Sequence, residues 1–195
     1  NYKKIYENWQ KDPKTFWKEQ TKHIHWEKYP GKILDDDNKP FYKWYPDGSL
    51  NTCFNAIDRH VINGRGEQDA ILYDSPVTNT KKKITYSELK YQVSIFAGAL
   101  KKLGVLKGDR VIIYMPMIPE ALVAMLACSR LGAIHSVVFG GFASNELAVR
   151  IDDCKPKIIV SASCGHEPNR IVKYKPLLDN AIKIASHQVD RCIIY

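Results

Sequence analysis

Two short segments combine residue types that suit an anionic ligand. Phe139-Gly140-Gly141-Phe142 has two residues without side chains between two aromatic rings, and Glu167-Pro168-Asn169-Arg170 presents an arginine in a polar stretch. Glycines allow a ligand to approach the backbone closely, aromatic rings offer apolar surface to a base, and a guanidinium binds phosphate. These residues predict the binding of a phosphorylated coenzyme through exposed N–H groups and a cation.

The glycine pair follows a predicted strand–helix–strand unit. Val111–Tyr114 is a continuous apolar run typical of a strand covered on both faces, and Glu120–Leu131 is apolar nearly all round, as in a buried helix. Pro119 suits the first turn of that helix because its missing N–H has no partner there, and Gly132 ends the helix before the predicted strand Ile134–Phe139. This order of elements is the one that an α/β fold for a nucleotide or coenzyme requires.

Strands alternate with helices along most of the remaining chain. Ser144 is predicted to cap the helix that follows the glycine turn and runs through Arg150, and Thr85-Tyr86-Ser87-Glu88 has the pattern of a capping box. The other predicted elements are helices over Asn55–Val61, Leu89–Leu100 and Pro176–Ala185, strands over Ala70–Tyr73, Ile84–Thr85, Ile158–Val160 and Cys192–Tyr195, and loops over Ser75–Lys83 and Ser161–Arg170. The predicted fold class is therefore α/β, with a mostly parallel sheet flanked by helices. Ligands in such sheets bind at the carboxyl ends of the strands, where both candidate segments lie.

The first fifty residues have a different character. Two predicted helices, Tyr2–Trp9 and a second one that begins at Asp12-Pro13, are followed by turns interleaved with aromatic residues over Trp26–Ser49. A segment of this kind typically wraps around a larger body and does not fold alone. We therefore expect an irregular N-terminal wrapping extension over residues 1–54 and an α/β portion over residues 55–195.

Composition narrows the class of protein. The chain has a net charge of +8 and a hydrophobic fraction of 45%, and it contains no apolar run long enough to cross a bilayer, so no membrane partner is expected. The lysines are scattered among acidic residues except for Lys81-Lys82-Lys83, which we interpret as a solvated hairpin loop. This pattern favours an anionic small-molecule ligand over nucleic acid. The five cysteines include no C-x-x-C pair, which predicts no metal or disulfide framework and an intracellular location.

Other polar groups do not predict a catalytic site. Asp58-Arg59-His60 lie in a predicted helix, where consecutive side chains point in different directions, so we expect structural hydrogen bonds from them. His135 lies in a strand of Ile, Val and Phe and is interpreted as a hydrogen-bonded core histidine. Gly104-x-x-x-Gly108 lacks the lysine and hydroxyl of a P-loop, and no G-x-G-x-x-G follows a strand. No catalytic residue and no metal ligand is predicted.

A longer series of residues forms a more specific pattern, with the segments Tyr114-Met115-Pro116-Met117, Pro119-Glu120-Ala121, Leu126-Ala127-Cys128 and Gly132–Phe142. This series resembles the short-chain acyl-CoA synthetases of the adenylate-forming superfamily. The resemblance covers the chain from about Phe16 to the end. Phe142-Ala143-Ser144, followed by Arg150-Ile151-Asp152-Asp153, is more similar to the propionate-type than to the acetate-type members, which typically lack the alanine.

The resemblance implies that the chain is the N-terminal part of the large domain of an adenylate-forming enzyme. Members of the family join a short-chain carboxylate to ATP with the help of Mg²⁺, release pyrophosphate, and transfer the acyl group from the acyl-adenylate to coenzyme A. The favoured carboxylate is propionate, followed by acetate. The favoured location is the mitochondrial matrix, with the cytoplasm as the alternative.

The resemblance also gives the candidate segments a specific ligand. It implies that Glu167, Pro168, Asn169 and Arg170 hold the nucleotide end of coenzyme A, with Arg170 against the 3′-phosphate, alone or with Lys173. Phe139, Gly140 and Gly141 then complete the surface. Acetate-type relatives have a second arginine where this chain has Glu167, which would repel a phosphate. The alternative is a solvated loop in which Arg170 only pairs with Glu167.

Two features of the family's catalytic machinery have no counterpart in these residues. The resemblance implies a Ser/Thr/Gly-rich phosphate loop and a lysine from a C-terminal domain, and neither motif occurs in the sequence. The last predicted strand also ends with the chain at Tyr195. We therefore expect the 195 residues to be part of a longer enzyme and inactive by themselves. The alternative is a stand-alone coenzyme- or nucleotide-binding module without catalysis.

Overall fold

A computed structural model describes all 195 residues, which divide into two compact units, Asn1–Asn55 and Ala56–Tyr195. The N-terminal unit begins with helices α1 (Tyr2–Lys11) and α2 (Pro13–Gln20), which confirms both helices predicted there. The side chain of Asp12 accepts a hydrogen bond from the backbone N–H of Thr15 at 3.0 Å and so caps α2.

Little regular structure follows α2 in the N-terminal unit, as predicted. A 3₁₀ turn at Thr21–His23 precedes the two-residue strands β1 (Leu34–Asp35) and β2 (Lys43–Trp44), which pair antiparallel. The ring centroids of Trp17 and Trp44 lie 5.5 Å apart, so the aromatic residues hold this unit together internally. Its wrapping around the α/β portion stays a prediction.

The C-terminal unit is built from alternating strands and helices. Its elements in chain order are β3 (Asp69–Ser75), β4 (Thr80–Thr85), α3 (Tyr86–Lys102), β5 (Arg110–Met115), α4 (Pro119–Leu131), β6 (Ile134–Phe139), α5 (Ser144–Cys154), β7 (Ile158–Ser161), β8 (Gly165–Glu167), β9 (Arg170–Val172), α6 (Tyr174–Ile184) and β10 (Arg191–Ile194). None of these helices has both the length and the apolar character that a membrane span requires.

The helix predicted over Asn55–Val61 instead has π-type turns at Phe54–Asp58 and Val61–Arg65. Apolar spacing indicates a buried helical face but does not distinguish the hydrogen-bond step of a π-turn from that of an α-helix.

Four strands form one parallel sheet, in the order β10-β7-β5-β6. Ile113 of β5 pairs with Val137 of β6 on one side and with Val160 of β7 on the other. All four residues of β7 are buried, as are all but the first residue of β5. Helix α3 packs against α4 and α5 against α6. The predicted α/β class with a parallel sheet flanked by helices is confirmed.

Two of the helix ends predicted from local sequence are confirmed, and one is wrong. Thr85 and Glu88 form the predicted capping box, and Gly132 ends α4 in the left-handed conformation with φ of 70°. The predicted cap at Ser144 is wrong, because Ser144 is the first residue of α5 and Ala143 occupies the cap position. The Ser144 hydroxyl donates instead to the carbonyl of Leu177 at 2.9 Å, a tertiary partner on α6 that local sequence does not reveal.

The loop predicted over Ser75–Lys83 is also wrong, because β3 and β4 form an antiparallel hairpin in which Ser75 pairs with Thr80. The three lysines at 81–83 lie in β4, and two of them form cross-strand ion pairs: Lys83 Nζ lies 2.8 Å from Asp69 Oδ2, and Lys81 Nζ lies 3.1 Å from Asp74 Oδ2. Residues 80–83 are all exposed, so they lack the alternation of apolar and polar residues by which a strand is recognised.

Candidate functional site

The glycine turn connects β6 to α5. The backbone N–H of Phe142 donates to the carbonyl of Phe139 at 3.1 Å and closes the turn. Gly140 is buried, and a Cβ on it would lie 2.9 Å from Cζ of Tyr174. The space left by the missing side chain of Gly140 is therefore occupied by a ring of the protein itself. Gly141 is exposed, so the backbone that a ligand can reach is that of Gly141.

Aromatic and cationic groups flank this turn. The Phe139 side chain is 69% exposed, and its ring lies against Gly141, where a Cβ would be 2.8 Å from Phe139 Cε1. The Phe142 ring meets Phe139 edge-on at 5.8 Å between centroids. The guanidinium carbon of Arg150, a residue absent from the predicted site, lies 4.5 Å from the centroid of Phe142. The turn thus presents an open apolar ring beside a cation.

The second candidate segment is a hairpin, so the polar loop predicted over Ser161–Arg170 is wrong. Strands β8 and β9 pair antiparallel, with Gly165 opposite Val172 and Glu167 opposite Arg170. Pro168-Asn169 form the turn, in which proline supplies the fixed φ of a turn position. Strands of three residues are too short to show a periodic pattern, and this explains why the hairpin was not predicted.

Arg170 and Glu167 form an ion pair on the surface of this hairpin. Arg170 Nε donates to Glu167 Oε2 at 2.7 Å, and the two side chains are 72% and 42% exposed. The hydrogen bond and the charge of Glu167 raise the pKa of the Arg170 guanidinium. The pairing proposed as the alternative is thus present in the structure. The pair is exposed and contributes little to stability, so it leaves Arg170 available to a more strongly charged partner.

Two further lysines follow the hairpin. Lys173 is exposed, whereas Lys175 Nζ lies 2.7 Å from both carboxylate oxygens of Asp179 on the same helix. Asp179 therefore offsets the charge of Lys175. Lys173 remains the cation that could act together with Arg170.

A cavity of about 380 Å³ lies beside the base of the hairpin. Its lining residues are Pro116, Met117 and Ile118 after β5, Ser163, Cys164, Gly165 and His166 after β7, Tyr73, Ser75 and Thr78 of the β3–β4 hairpin, and Tyr195. It therefore lies at the carboxyl ends of two parallel strands, the edge of the sheet at which ligands were expected. The contribution of Tyr73, Ser75 and Thr78, from β3 and the turn after it, was missed because the predicted strands were too short to show that this hairpin reaches the edge of the sheet.

Two tyrosines lie close to both candidate segments. Tyr114 is fully buried and Tyr174 is 6% exposed, and their rings meet edge-on at 5.1 Å between centroids. Tyr114 Oη donates to the carbonyl of Phe142 at 2.8 Å. Burial raises the pKa of Tyr114 to about 12, and burial together with the charges of Glu167 and Cys164 raises the pKa of Tyr174. Both hydroxyls are therefore neutral near pH 7. Sequence reasoning missed these contacts because they join residues that are distant in the chain.

The other titratable side chains considered in the sequence lie outside the two candidate segments. Asp58 forms a bidentate pair with Arg130, with oxygen–nitrogen distances of 3.2 and 2.7 Å, which confirms structural hydrogen bonding for that residue. His60 Nδ1 lies 3.1 Å from Arg65 Nη1. His135 is half-buried in β6, and burial lowers its pKa, so the neutral imidazole is favoured. Its role as a hydrogen-bonded core residue stays a prediction.

No group of three or more His, Cys, Asp or Glu side chains in residues 1–195 is placed to hold a metal ion. The five cysteines are free thiols, two of them buried. The two candidate segments instead offer an exposed ring, an accessible turn and a guanidinium. Such a set can bind an organic anion but contains no nucleophile paired with a base.

Two family profiles and several known proteins match this chain. The sequence profile described as AMP-binding enzyme matches residues 59–194, and the profile described as acetyl-coenzyme A synthetase N-terminus matches residues 2–56. The chain is 55% identical over 184 residues to the acyl-CoA synthetase short-chain family member 3, mitochondrial, of Bos taurus, an alignment that covers 94% of this chain and 27% of that protein.

Two relatives from other organisms are nearly as similar. The chain is 48% identical over 198 residues to the acyl-CoA synthetase short-chain family member B, mitochondrial, of Dictyostelium discoideum, covering 100% of this chain and 28% of that protein. It is 47% identical over 180 residues to the acetyl-coenzyme A synthetase of Streptomyces coelicolor, covering 92% and 28%. The chain thus spans less than a third of the length of these curated relatives. By the match over residues 59–194, it belongs to the AMP-binding enzyme family.

Proposed function

We propose that these residues belong to an enzyme that activates a short-chain carboxylate with ATP, releases pyrophosphate, and transfers the acyl group from the acyl-adenylate to coenzyme A. The observation that carries this proposal is the family match over most of the α/β unit, together with 55% identity to a short-chain acyl-CoA synthetase. Because the chain spans 27% of that relative, the proposal concerns the longer protein of which it forms a part.

The role proposed for the chain itself is to carry part of the surface that binds coenzyme A. The nucleotide end of the coenzyme bears a 3′-phosphate and a pyrophosphate, which require cations and N–H donors. Arg170 is the exposed guanidinium at the hairpin, and Asn169 at its tip carries an exposed amide. Phe139, at 69% exposure beside the accessible Gly141, provides the apolar surface for an adenine or a pantetheine arm.

The binding mode proposed here includes an exchange of partners at Arg170. In the structure its Nε is bound to Glu167, so a phosphate must displace one exposed carboxylate before it contacts the guanidinium. A phosphate carries up to two charges and accepts several hydrogen bonds, and it therefore competes well with a single solvated carboxylate. Glu167 then lowers the affinity for the coenzyme without preventing its binding.

Other parts of the reaction are assigned to no residue in this chain. Adenylation of a carboxylate brings two anions together and normally uses Mg²⁺ to offset their charges, but residues 1–195 provide no cluster of ligands for a metal ion. We propose that residues 1–54 act as the N-terminal extension and that residues 55–195 form the first α/β portion of the AMP-binding domain.

Propionate is the proposed carboxylate and acetate the next candidate. Support comes from Phe142-Ala143-Ser144 with Arg150-Ile151-Asp152-Asp153, the residues that resemble propionate-type members. The proposed location is the mitochondrial matrix, and support comes from the bovine and Dictyostelium relatives, whose names describe them as mitochondrial. The cytoplasm is the alternative.

Pyrophosphate release by the full-length protein tests this function. Acetate, propionate and butyrate would each be supplied with ATP and Mg²⁺, and thioester formation would be measured after the addition of coenzyme A. We expect kcat/KM to be highest for propionate and lowest for butyrate. If calorimetry detected binding of coenzyme A while no carboxylate supported pyrophosphate release, the protein would be a binding module without catalysis.

A further inference from the structure

The ring of Tyr174 lies between the glycine turn and the base of the hairpin. Tyr174 is the first residue of α6 and is 6% exposed. A Cβ on Gly140 would lie 2.9 Å from its Cζ, and a Cβ on Gly165 would lie 2.5 Å from its Cε2 and 2.9 Å from its hydroxyl. Both glycines therefore approach the same ring more closely than any other residue type could.

The two glycines belong to the two segments proposed to bind coenzyme A. Gly140 precedes the accessible Gly141, and Gly165 begins β8, which leads directly to Glu167 and the hairpin turn. Neither glycine has a positive φ, so close packing against Tyr174 is the reason why a side chain is not tolerated there. The Tyr174 ring thus sets the spacing between the turn and the hairpin.

Neighbouring contacts hold this ring in place. The backbone N–H of Lys175 donates to the carbonyl of Ser163 at 3.2 Å, and the Ser144 hydroxyl donates to the carbonyl of Leu177 at 2.9 Å. These bonds connect the first turn of α6 to the end of β7 and to the start of α5. Tyr114 packs edge-on against Tyr174 and binds the carbonyl of Phe142, so the glycine turn is tied to the same cluster.

We propose that Tyr174 is a positioning residue, which holds the glycine turn and the β8–β9 hairpin at the separation that lets one coenzyme A molecule contact both. The inference rests on the proposed function. A ligand that binds at two points gains affinity when the points are fixed in advance, because binding then orders less of the protein. Loss of the ring would leave each segment present but would allow their spacing to vary.

Substitution of Tyr174 in the full-length enzyme tests this role. Tyr174→Leu removes the ring, and we expect it to raise KM for coenzyme A by about tenfold. ATP–pyrophosphate exchange with the carboxylate, measured without coenzyme A, should stay within about twofold of the wild type. Tyr174→Phe keeps the ring and removes only the hydroxyl, so its KM should lie much closer to that of the wild type than the KM of Tyr174→Leu does.

A control variant on the same helix separates positioning from general stability. Leu178 lies one turn further along α6 and is fully buried, so Leu178→Ala should lower Tm at least as much as Tyr174→Leu does. We expect Leu178→Ala to leave KM for coenzyme A unchanged. Equal changes in KM for the two variants, or equal losses in both half-reactions for Tyr174→Leu, would overturn the inference.

A second variant keeps the test decisive if Tyr174→Leu does not fold. Gly165→Ala retains the Tyr174 ring, but the added Cβ would lie 2.5 Å from Cε2 and so forces the ring and the hairpin apart. This variant should also raise KM for coenzyme A while sparing pyrophosphate exchange. If the double variant folds, Gly165→Ala should raise KM for coenzyme A less in the Tyr174→Leu background than in the wild type, because the two residues are in contact. An unchanged KM for Gly165→Ala would refute the proposal. Absence of pyrophosphate exchange in the wild type would instead refute the proposed function.

Discussion

Glu167 and Arg170 face each other across the turn of the β8–β9 hairpin, with Arg170 Nε 2.7 Å from Glu167 Oε2. Both side chains are exposed, so solvent screens the pair and its contribution to stability is small. The guanidinium therefore stays exposed at the surface without being committed to a structural role. In the proposed binding mode, a phosphate replaces Glu167 as the partner of Arg170.

Arg170→Ala in the full-length enzyme should raise KM for coenzyme A by about tenfold, which corresponds to about 1.4 kcal/mol of lost binding. The reason is the loss of the charged donor that is proposed to contact the 3′-phosphate. ATP–pyrophosphate exchange without the coenzyme should not change. Lys102→Ala, which removes an exposed cation at the end of α3, is the charge-matched control and should leave KM unaltered. A fall in pyrophosphate exchange with an unchanged KM would show that the hairpin is not the coenzyme site.

Glu167→Gln should have the opposite effect and lower KM for coenzyme A by about threefold, because Arg170 would no longer have a charged competitor. The measurement is the initial rate of thioester formation at saturating ATP and carboxylate. Glu19→Gln removes an exposed carboxylate that pairs with Lys22 in the N-terminal unit, and it serves as the control. The gain should be absent when Glu167→Gln is combined with Arg170→Ala. A gain that persisted in the double variant would mean that Glu167 acts on some other group.

Much of the parallel sheet could be predicted from the sequence because its signals are local. Val111–Tyr114 forms the centre of a strand buried on both faces, and such a strand appears in the sequence as an unbroken apolar run. Pro119 and Gly132 limit α4 through backbone properties of single residues, namely a missing N–H and a tolerance for positive φ. These features depend little on the rest of the fold.

The parts that were missed depend on contacts between distant residues or on exposed strands. The hairpin of β8 and β9 has only three residues in each strand, and Lys81–Lys83 of β4 are all exposed. Tyr174 and Arg150 approach the glycine turn through the packing of α6 and α5, which no periodicity reveals. For this reason the sequence indicated which segments could bind a ligand, but not what holds them together.

Asp58→Asn should destabilise the α/β unit by about 3 kcal/mol, because it removes the charge that faces Arg130. The Asp58 side chain is 10% exposed, and it also lies 3.9 Å from Lys90, so the substitution would remove a carboxylate charge from beside two cations. The expected fall in Tm is roughly 6–12 °C for a domain of this size. Asp74→Asn, which breaks the exposed pair with Lys81, is the matched control and should shift Tm by less than about 2 °C. Equal shifts for the two variants would contradict a special role for the buried pair.

Asp109 gives the stability of the sheet a predicted dependence on pH. Its Oδ2 accepts a hydrogen bond from the backbone N–H of Leu106 at 2.8 Å and lies 3.4 Å from Lys157 Nζ. The backbone hydrogen bond first, and then Lys157, lowers the pKa of the Asp109 carboxyl below its usual value of 3.8. A carboxyl with a lower pKa in the folded state stabilises that state above its unfolded pKa, and this contribution is lost as the pH falls through the folded pKa.

Asp109→Asn should therefore lower Tm by a constant amount between about pH 5 and pH 8, and this difference from the wild type should shrink below about pH 4. The measurement is thermal unfolding of both proteins followed by circular dichroism at a series of pH values. Lys157→Met removes the ion pair but keeps the hydrogen bond from Leu106, so it should preserve most of the pH dependence. A Tm difference that stayed constant down to pH 3, or one that Lys157→Met abolished, would show that the turn before β5 is not stabilised by the Leu106–Asp109 hydrogen bond.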